Sequence, residues 1–370
     1  MIHFDLPKEQ SSILKVIGVG GGGSNAVNHM FSQNIEGVNF IICNTDAQAI
    51  ATSMVPNKVQ LGPHLTQGLG AGANPAIGRE ATEESLEEIK RILEVNTKMA
   101  FITAGMGGGT GTGAAPIIAA LAVELGALTV GIVTKPFTVE GKKRMSQAEE
   151  GIAELRGCVD TLITIPNSKL REVEEKITVI EAFRRADEVL LQAVQGITDL
   201  IITPGLINLD FADVTTVMKD KGVALMGIGS ARGQDAASNA MRAALDYKLL
   251  EENSIHGAKA ALINVTGGPN MVLSEIEDAL GLVESEADDQ ADIIWGSVIK
   301  EDMDDEIRIT VIATGFDTAA SVATPKPRIA EPVHAVAAAS GSPTPAPYIP
   351  KDMAPVENLD VPTFMRRQAD

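Results

Sequence analysis

The residues of this 370-residue chain most able to do chemistry are glycines. Gly18-Val19-Gly20-Gly21-Gly22-Gly23-Ser24-Asn25 follows an apolar run and opens a helical pattern through Ala26, Val27 and Met30. It satisfies G-x-G-x-x-G, where the missing side chains let backbone approach a phosphate and the helix N-terminus offers free N–H donors. A glycine run that only serves a tight turn fits the same residues. A second run, Gly105-Met106-Gly107-Gly108-Gly109-Thr110-Gly111-Thr112-Gly113, again follows an apolar run and opens a helical pattern over 114–125. One dinucleotide fold needs one such loop. Two at the carboxyl edge of a parallel sheet present amides to a long polyphosphate from both sides, which favours a nucleoside triphosphate. No G-x-x-x-x-G-K-[ST] occurs, so charge neutralisation falls to amides, Thr110, Arg144 and a Mg²⁺ ion.

Asp210 and Asp213, with Asn208 just before them, stand at the start of an expected helix over 211–219. Asp210 could cap it and Asp213 complement its dipole, and spacing alone favours that reading. Asp46 follows the second apolar run, where a nicotinamide or flavin enzyme places its ribose ligand, so an oxidoreductase is the rival reading of the first loop. That rival leaves residues 107–113 unexplained, and the five histidines, His3, His29, His64, His256 and His334, are scattered mostly outside the loops. A nucleotide-binding scaffold that assembles without hydrolysis is a third reading. Neither H-E-x-x-H nor G-x-S-x-G is present, which leaves metal hydrolases and Ser-His-Asp hydrolases without support.

The elements that must position these groups are legible as apolar runs over 13–19, 38–43, 99–103, 128–133 and 161–165, each ending in glycines or a polar turn before a helical pattern. Strand, turn and helix in alternation is the α/β signature. From about 178 to 202 the period changes to that of a long, mostly buried helix, ended by Pro204-Gly205. Strands over 226–229, 261–265 and 307–313, with helices over 236–250 and 272–280, then form a second, smaller sheet. Ten acids and two bases between Glu284 and Arg308 read as a solvated face rather than a calcium site. Eight of the 18 prolines fall between Thr318 and Glu357, the composition of a linker. The expected division is a flexible start (1–12), a nucleotide domain (13–177), a central helix (178–203), a second domain (204–316), a disordered linker (317–357) and a C-terminal peptide (358–370).

Composition narrows the function. With 45% apolar residues and a mean hydropathy of +0.11, the chain can fill two cores of about 150 residues each. No apolar run approaches the roughly 20 residues that span a bilayer, so direct membrane insertion is not expected. A net charge of −19 without a basic patch repels a nucleic-acid backbone, so no nucleic-acid partner is expected. The first ten residues lack the order of a signal peptide, and Cys43 and Cys158 sit far apart in apolar surroundings, which fits a reducing cytoplasm.

Residues 107–113 read GGGTGTG and resemble the tubulin signature; with GVGGGGSNAVN at 18–28 the chain is most similar to the FtsZ family, the bacterial tubulin-like division GTPases. GLGAGANPAIG (68–78), TKPFTVEGKKRM (134–145), IPN (165–167) and NLDFADV (208–214) resemble that family's loops in the same order. The resemblance covers roughly 13–315 and resumes at the end. It implies a tubulin-like α/β fold: a Rossmann-like parallel-sheet nucleotide domain, a long central helix and a second, smaller α/β domain that activates the GTPase. It implies a GTP/GDP and Mg²⁺ site. Gly21, Gly22, Gly23, Ser24 and Asn25, and Gly107, Gly108, Gly109, Thr110, Gly111, Thr112 and Gly113, would lie along the phosphates or nearby sugar. Ala71, Gly72, Ala73 and Asn74 would approach the γ-phosphate side, Glu140 the ribose and Arg144 the phosphates. Phe183 would stack on the base, and Asp187, with Asn25 or Asn167, would pair with guanine. Asn208, Asp210 and Asp213 would serve hydrolysis by polarising the attacking water. If Asp187 touches the base, the end of the long helix lies on the order of 24 Å further along, so the acids must serve a neighbour's nucleotide in a head-to-tail polymer. The implied setting is the cytoplasmic Z ring at the mid-cell division site.

The last residues, Leu359-Asp360-Val361-Pro362-Thr363-Phe364-Met365-Arg366-Arg367-Gln368, resemble the family's C-terminal peptide, with Met365 where leucine is more usual. Three apolar side chains beside two arginines suit a segment that folds into a partner's groove. The resemblance implies membrane-tethering adaptors of the FtsA or ZipA kind as that partner. Deleting residues 360–370 is expected to abolish adaptor binding and spare GTP hydrolysis; a pull-down with unchanged adaptor affinity counts against the assignment.

Overall fold

The computed structural model describes residues 13–173, 177–203, 205–247 and 255–316. The expected N-terminal extension (1–12), linker (317–357) and C-terminal peptide (358–370) lie outside the described residues.

Ten strands form one sheet: β1 (Leu14–Val19), β2 (Val38–Asn44), β3 (Asn57–Gln60), β4 (Met99–Gly105), β5 (Leu128–Lys135), β6 (Thr161–Pro166), β7 (Gly222–Arg232), β8 (Ala260–Gly267), β9 (Asp292–Ile299) and β10 (Glu306–Thr314). Their order is β3-β2-β1-β4-β5-β6-β7-β10-β8-β9. Among the described strands only β10 runs against its neighbours; every other pair is parallel. The first helices are α1 (Gly20–Ser32), α2 (Ala47–Thr52), α3 (Pro63–Thr66), α4 (Pro75–Glu84), α5 (Leu86–Glu94) and α6 (Thr110–Glu124). After them come α7 (Lys142–Arg156), α8 (Asn167–Val173), α9 (Val179–Ile202), α10 (Phe211–Met218), α11 (Ala236–Leu245) and α12 (Leu273–Glu286).

Central parallel strands are covered on both faces, which is why they read as unbroken apolar runs. Every residue of β1 is buried, and alternation divides them: Leu14 and Val16 join one core with α1, α9 and α10, while Ile17 and Val19 join another with α5 and α6. Helix α9 buries a stripe through Val189, Ala193, Val194, Ile197 and Leu200. Its start is fixed by a capping box in which Thr178 Oγ1 accepts from the Glu181 amide and Glu181 accepts from the Thr178 amide. Its 24 residues span about 36 Å, enough to cross from one edge of the sheet to the other.

The structure corrects one expectation and adds a strand to another. The second sheet is not separate: β7 continues the first through the pairs Thr161↔Gly222, Leu162↔Val223 and Ile163↔Ala224. Only three residue pairs carry that join, too little for a sequence pattern to announce it. The acid-rich stretch between Glu284 and Arg308 keeps its acids mostly exposed, as a solvated face does, but β9 also runs through it. Its acids cluster before and after an apolar segment, Ile293-Ile294-Trp295, which pairs with β8, so charge counted over the whole window hid the strand.

Lys15 stands in β1 with only 2% of its surface exposed. Its ammonium donates to the carbonyls of Ile92 and, at 2.8 Å, Val95, where α5 ends and its last carbonyls lack helical partners. Burial lowers its pKa. Lys15→Met removes both donors and is expected to destabilise the fold by about 1–3 kcal/mol, read as a lower Tm with nucleotide affinity unchanged.

Candidate functional site

Because β1, β2, β4, β5 and β6 are parallel, the loops that follow them share one edge of the sheet. The chain turns one way from β1 to β2 and β3, and the other way to β4, β5 and β6, which makes the crevice between β1 and β4 the switch point. Register Val19↔Ala104 then sets the two glycine loops side by side. A Cβ on Gly20 would lie 2.7 Å from the Gly111 amide nitrogen, and one on Gly22 3.2 Å from Gly105 Cα. Gly20 also holds a φ of +71°, which favours glycine.

Neither helix that opens from these loops has a side-chain cap: Val19 precedes α1 and Gly109 precedes α6. Their first-turn amides are thus left to an external acceptor. In the first loop Gly21, Gly22 and Asn25 are exposed, whereas Gly23 packs on Thr103 and Ser24 is buried, its hydroxyl without a partner. In the second loop Gly108 is the glycine with open space where a Cβ would stand. The others are contact points: Gly107 (φ +93°) against Arg144, Gly109 against Ala71 and Asn74, Gly111 against Gly105, and Gly113 against Pro75. Thr112 Oγ1 accepts from the Gly107 amide at 2.8 Å, and Thr110 Oγ1 shares a 2.6 Å hydrogen bond with Thr45 Oγ1. Both threonines therefore shape the loop with their hydroxyls.

Ala71 is buried against Gly109, while Gly72, Ala73 and Asn74 are exposed beside it. Asn74 caps α4, accepting from the Ala76 amide at 3.1 Å, and the Gln147 amide group reaches the Ala73 carbonyl at 3.4 Å. Asp46, the ribose ligand of the rival reading, instead caps α2 by accepting from the Gln48 and Ala49 amides. A carboxylate so engaged explains its place after β2 without a cofactor.

After β5, Glu140 Oε1 accepts from the Phe137 amide at 2.8 Å while Oε2 pairs with Arg144 Nε at 3.1 Å. After β6 comes Asn167, 4% exposed, whose Oδ1 is buried without a hydrogen-bond partner. Phe183 and Asp187 lie one turn apart on the first part of α9. Phe183 is 46% exposed and its ring meets Phe137. Burial pushes the Asp187 carboxyl up to about 6. A buried acceptor without a donor is costly, so Asn167 Oδ1 suits a ligand with an N–H group, and the half-buried Asp187 carboxyl is a second acceptor on α9.

Asn208, Asp210 and Asp213 are elsewhere. Helix α9 carries the chain to the opposite edge, where β7 begins beside the start of β6: the Gly222 amide donates to the Asp160 carbonyl at 3.0 Å. The end of α10 is tied there too, Thr314 donating to the Val217 carbonyl and Thr161 to that of Met218. The acids form a reciprocal capping box: the Asp213 amide donates to Asp210 Oδ1 at 2.9 Å and the Asp210 amide to Asp213 Oδ2 at 3.0 Å. One oxygen of each carboxylate stays outside the box. Asn208 Oδ1 accepts from the Gly205 amide at 2.7 Å, and the loop is pinned to β9 by a two-way backbone pairing, Leu206 to Ser297 and Ser297 to Ile207. With strands of six to eight residues between the edges, roughly 20–26 Å of sheet separates the end of α10 from the glycine loops.

Sequence reasoning missed Thr45, Gln147, Ser297 and Phe137, whose roles come from tertiary partners; only Phe137 lay inside a motif that had been singled out.

A long helix that crosses a mostly parallel sheet, with two helix N-termini facing each other over its switch point, defines the tubulin-like class of α/β protein. Residues 13–175 match the Tubulin/FtsZ family, GTPase domain, and residues 222–317 match the FtsZ family, C-terminal domain. A solved FtsZ dimer of M. jannaschii is 43% identical with a TM-score of 0.79, covering 83% of this chain and 89% of that one. A solved FtsZ mutant of M. jannaschii is 44% identical with a TM-score of 0.78, covering 82% and 91%. CetZ1 from Haloferax volcanii, a GDP-bound monomer, shares the fold at 21% identity and a TM-score of 0.71, covering 82% and 94%. The chain belongs to the FtsZ family.

Proposed function

We propose that this chain binds GTP at the glycine-loop edge and hydrolyses it only when a second copy docks its far edge there. What supports this reading is the height of the sheet between the uncapped helix N-termini and the edge where α10, the helix that Asp210 and Asp213 cap, is tied down. Contact between unlike faces is heterologous and propagates into a filament unless the rotation closes a ring. The FtsZ dimer among the solved relatives, and the protofilament form in which CetZ2 from Haloferax volcanii was solved with GTPγS, support self-association of this kind.

The chain's own groups divide the work. Amides of the first turns of α1 and α6 take the polyphosphate, Arg144 turns from Glu140 toward it, and the exposed Gly72, Ala73 and Asn74 sense its far end. Phe183 stacks on the base while Asp187 and Asn167 accept its donors. The described residues gather no group of three or more His, Cys, Asp or Glu side chains that could hold a metal. A Mg²⁺ ion bound together with the nucleotide would supply charge neutralisation there. From the neighbouring copy, the free oxygens of Asp210 and Asp213 orient a water toward the terminal phosphate, and Asn208 keeps their loop in shape. Loss of that phosphate removes contacts at the junction, which couples hydrolysis to filament turnover. In a cell such filaments would form the division-site Z ring, tethered to the membrane by FtsA- or ZipA-like adaptors through residues 360–370.

Phosphate release is expected to show a threshold in protein concentration; a strictly linear dependence counts against a shared site. Asp213→Asn keeps a carbonyl oxygen for the Asp210 amide. It is expected to spare GTP binding and assembly while kcat falls by about 100-fold or more; wild-type turnover would return the acids to capping alone.

The raised Asp187 value gives a pH dependence of definite sign. Guanine needs the carboxylate, so GTP affinity is expected to weaken as pH falls through about 6, approaching tenfold per pH unit below it. The nucleotide-free fold behaves oppositely: stability gained by a neutral Asp187 is full below the ordinary carboxylate range and is lost as pH rises through about 6. Isothermal titration and melting from pH 5 to 8, with Asp187→Asn as the flat control, check both signs.

A further inference from the structure

Phe183 stands on the first part of α9 with 46% of its surface exposed. A ring so placed is free to change rotamer, and that freedom is lost when a flat ligand stacks on it. Among the described residues the ring it meets is Phe137, with centroids 5.2 Å apart and planes at 79°. A T-shaped partner is held by the quadrupoles of the two rings and covers at most one face of either, which leaves Phe183 a face for stacking. Phe137 can act as a support because it is partly buried and packed against the main core. It also has a second hold on the site: its backbone N–H donates to Glu140 Oε1 at 2.8 Å, and Glu140 in turn holds Arg144 at 3.1 Å.

We propose that Phe137 is the positioning residue for the nucleoside half of the site, its ring setting Phe183 for the base and its amide setting Glu140 for the sugar. This rests on the GTP-binding reading above. The two holds belong to different parts of one residue, so replacing the side chain loses the first and keeps the second. The phosphate-facing amides belong to the first turns of α1 and α6 and not to the Phe137 ring, so a probe without a nucleoside does not sense the change.

The test is a binding cycle on the full chain with GDP, GTP and inorganic tripolyphosphate, each variant first checked by thermal melting. Phe137→Leu is expected to weaken both nucleotides by about three- to tenfold, the span that an edge-to-face pair carries, and to leave tripolyphosphate affinity unchanged. Phe137→Met, which fills the volume without a ring, gives the same loss and stands in should the leucine variant not fold; Phe137→Tyr restores affinity. Phe137→Leu combined with Phe183→Leu binds GTP no more weakly than Phe183→Leu alone, because one residue acts through the other. Additive losses, an equal loss for tripolyphosphate, or unchanged GTP affinity in the leucine and methionine variants overturns the proposal. A wild-type chain that binds tripolyphosphate but neither guanine nucleotide overturns the GTP reading itself, a result separable from any of these.

Discussion

Two helix N-termini can address one polyphosphate only if their backbones meet, and here they do: Gly20 reaches Gly111, and Gly22 reaches Gly105, with little or no room for a Cβ between them. The rest of the crevice follows from that contact. It requires β1 beside β4, which the 3-2-1-4-5-6 order supplies. It requires glycines at the points where α4 and α7 close in, as at Gly113 against Pro75 and Gly107 against Arg144. It also lets a chain with no P-loop lysine and a net charge of −19 turn uncapped helix amides toward one crevice. Helix dipoles and uncapped amides supply a local positive potential that net charge does not describe.

The second constraint is the sheet itself. Parallel strands put the loops that follow β1 to β6 on one edge, and α9 delivers Asn208, Asp210 and Asp213 to the other. Asp210 and Asp213 cap α10 whatever else they do, so their place in the sequence is explained twice. The capping box fixes one oxygen of each and leaves the other outside it, at a loop that β9 clamps through Ser297. A carboxylate whose geometry is fixed by its own helix needs no reorganisation to orient a water.

Much of this was legible in the sequence, for a physical reason. Strands buried on both faces are unbroken apolar runs, and β1, β2, β4, β5 and β6 were each found within two residues of their ends. Helix α9 was legible from its period, and the glycine loops from their place after strands. What was hidden depends on residues far apart in the chain. Thr45 meets Thr110 across 65 positions, and Lys15 meets Ile92 across 77, pairs that leave no local pattern. Strand β9 was hidden by its acidic flanks, and the fusion of two sheets by the shortness of the β6–β7 join. The N-terminal, linker and C-terminal readings fall on residues outside those described.

The polar groups of the crevice are not equally provided for, and the inequality says where selectivity comes from. Between sugar and phosphate Glu140 and Arg144 neutralise each other, and amides at the helix starts can be solvated until an anion displaces the water. On the base side Asn167 Oδ1 is buried without a donor, and burial holds the Asp187 carboxyl near 6. A site discriminates most strongly where a wrong ligand would leave its buried groups unmet. Any polyphosphate can satisfy the first set. The second set consists of acceptors, and guanine presents an N1–H and an amino group where adenine presents a bare ring nitrogen. On the proposed reading, affinity and selectivity would reside at opposite ends of one crevice, the first in backbone that accepts any triphosphate and the second in the acceptors of Asn167 and Asp187.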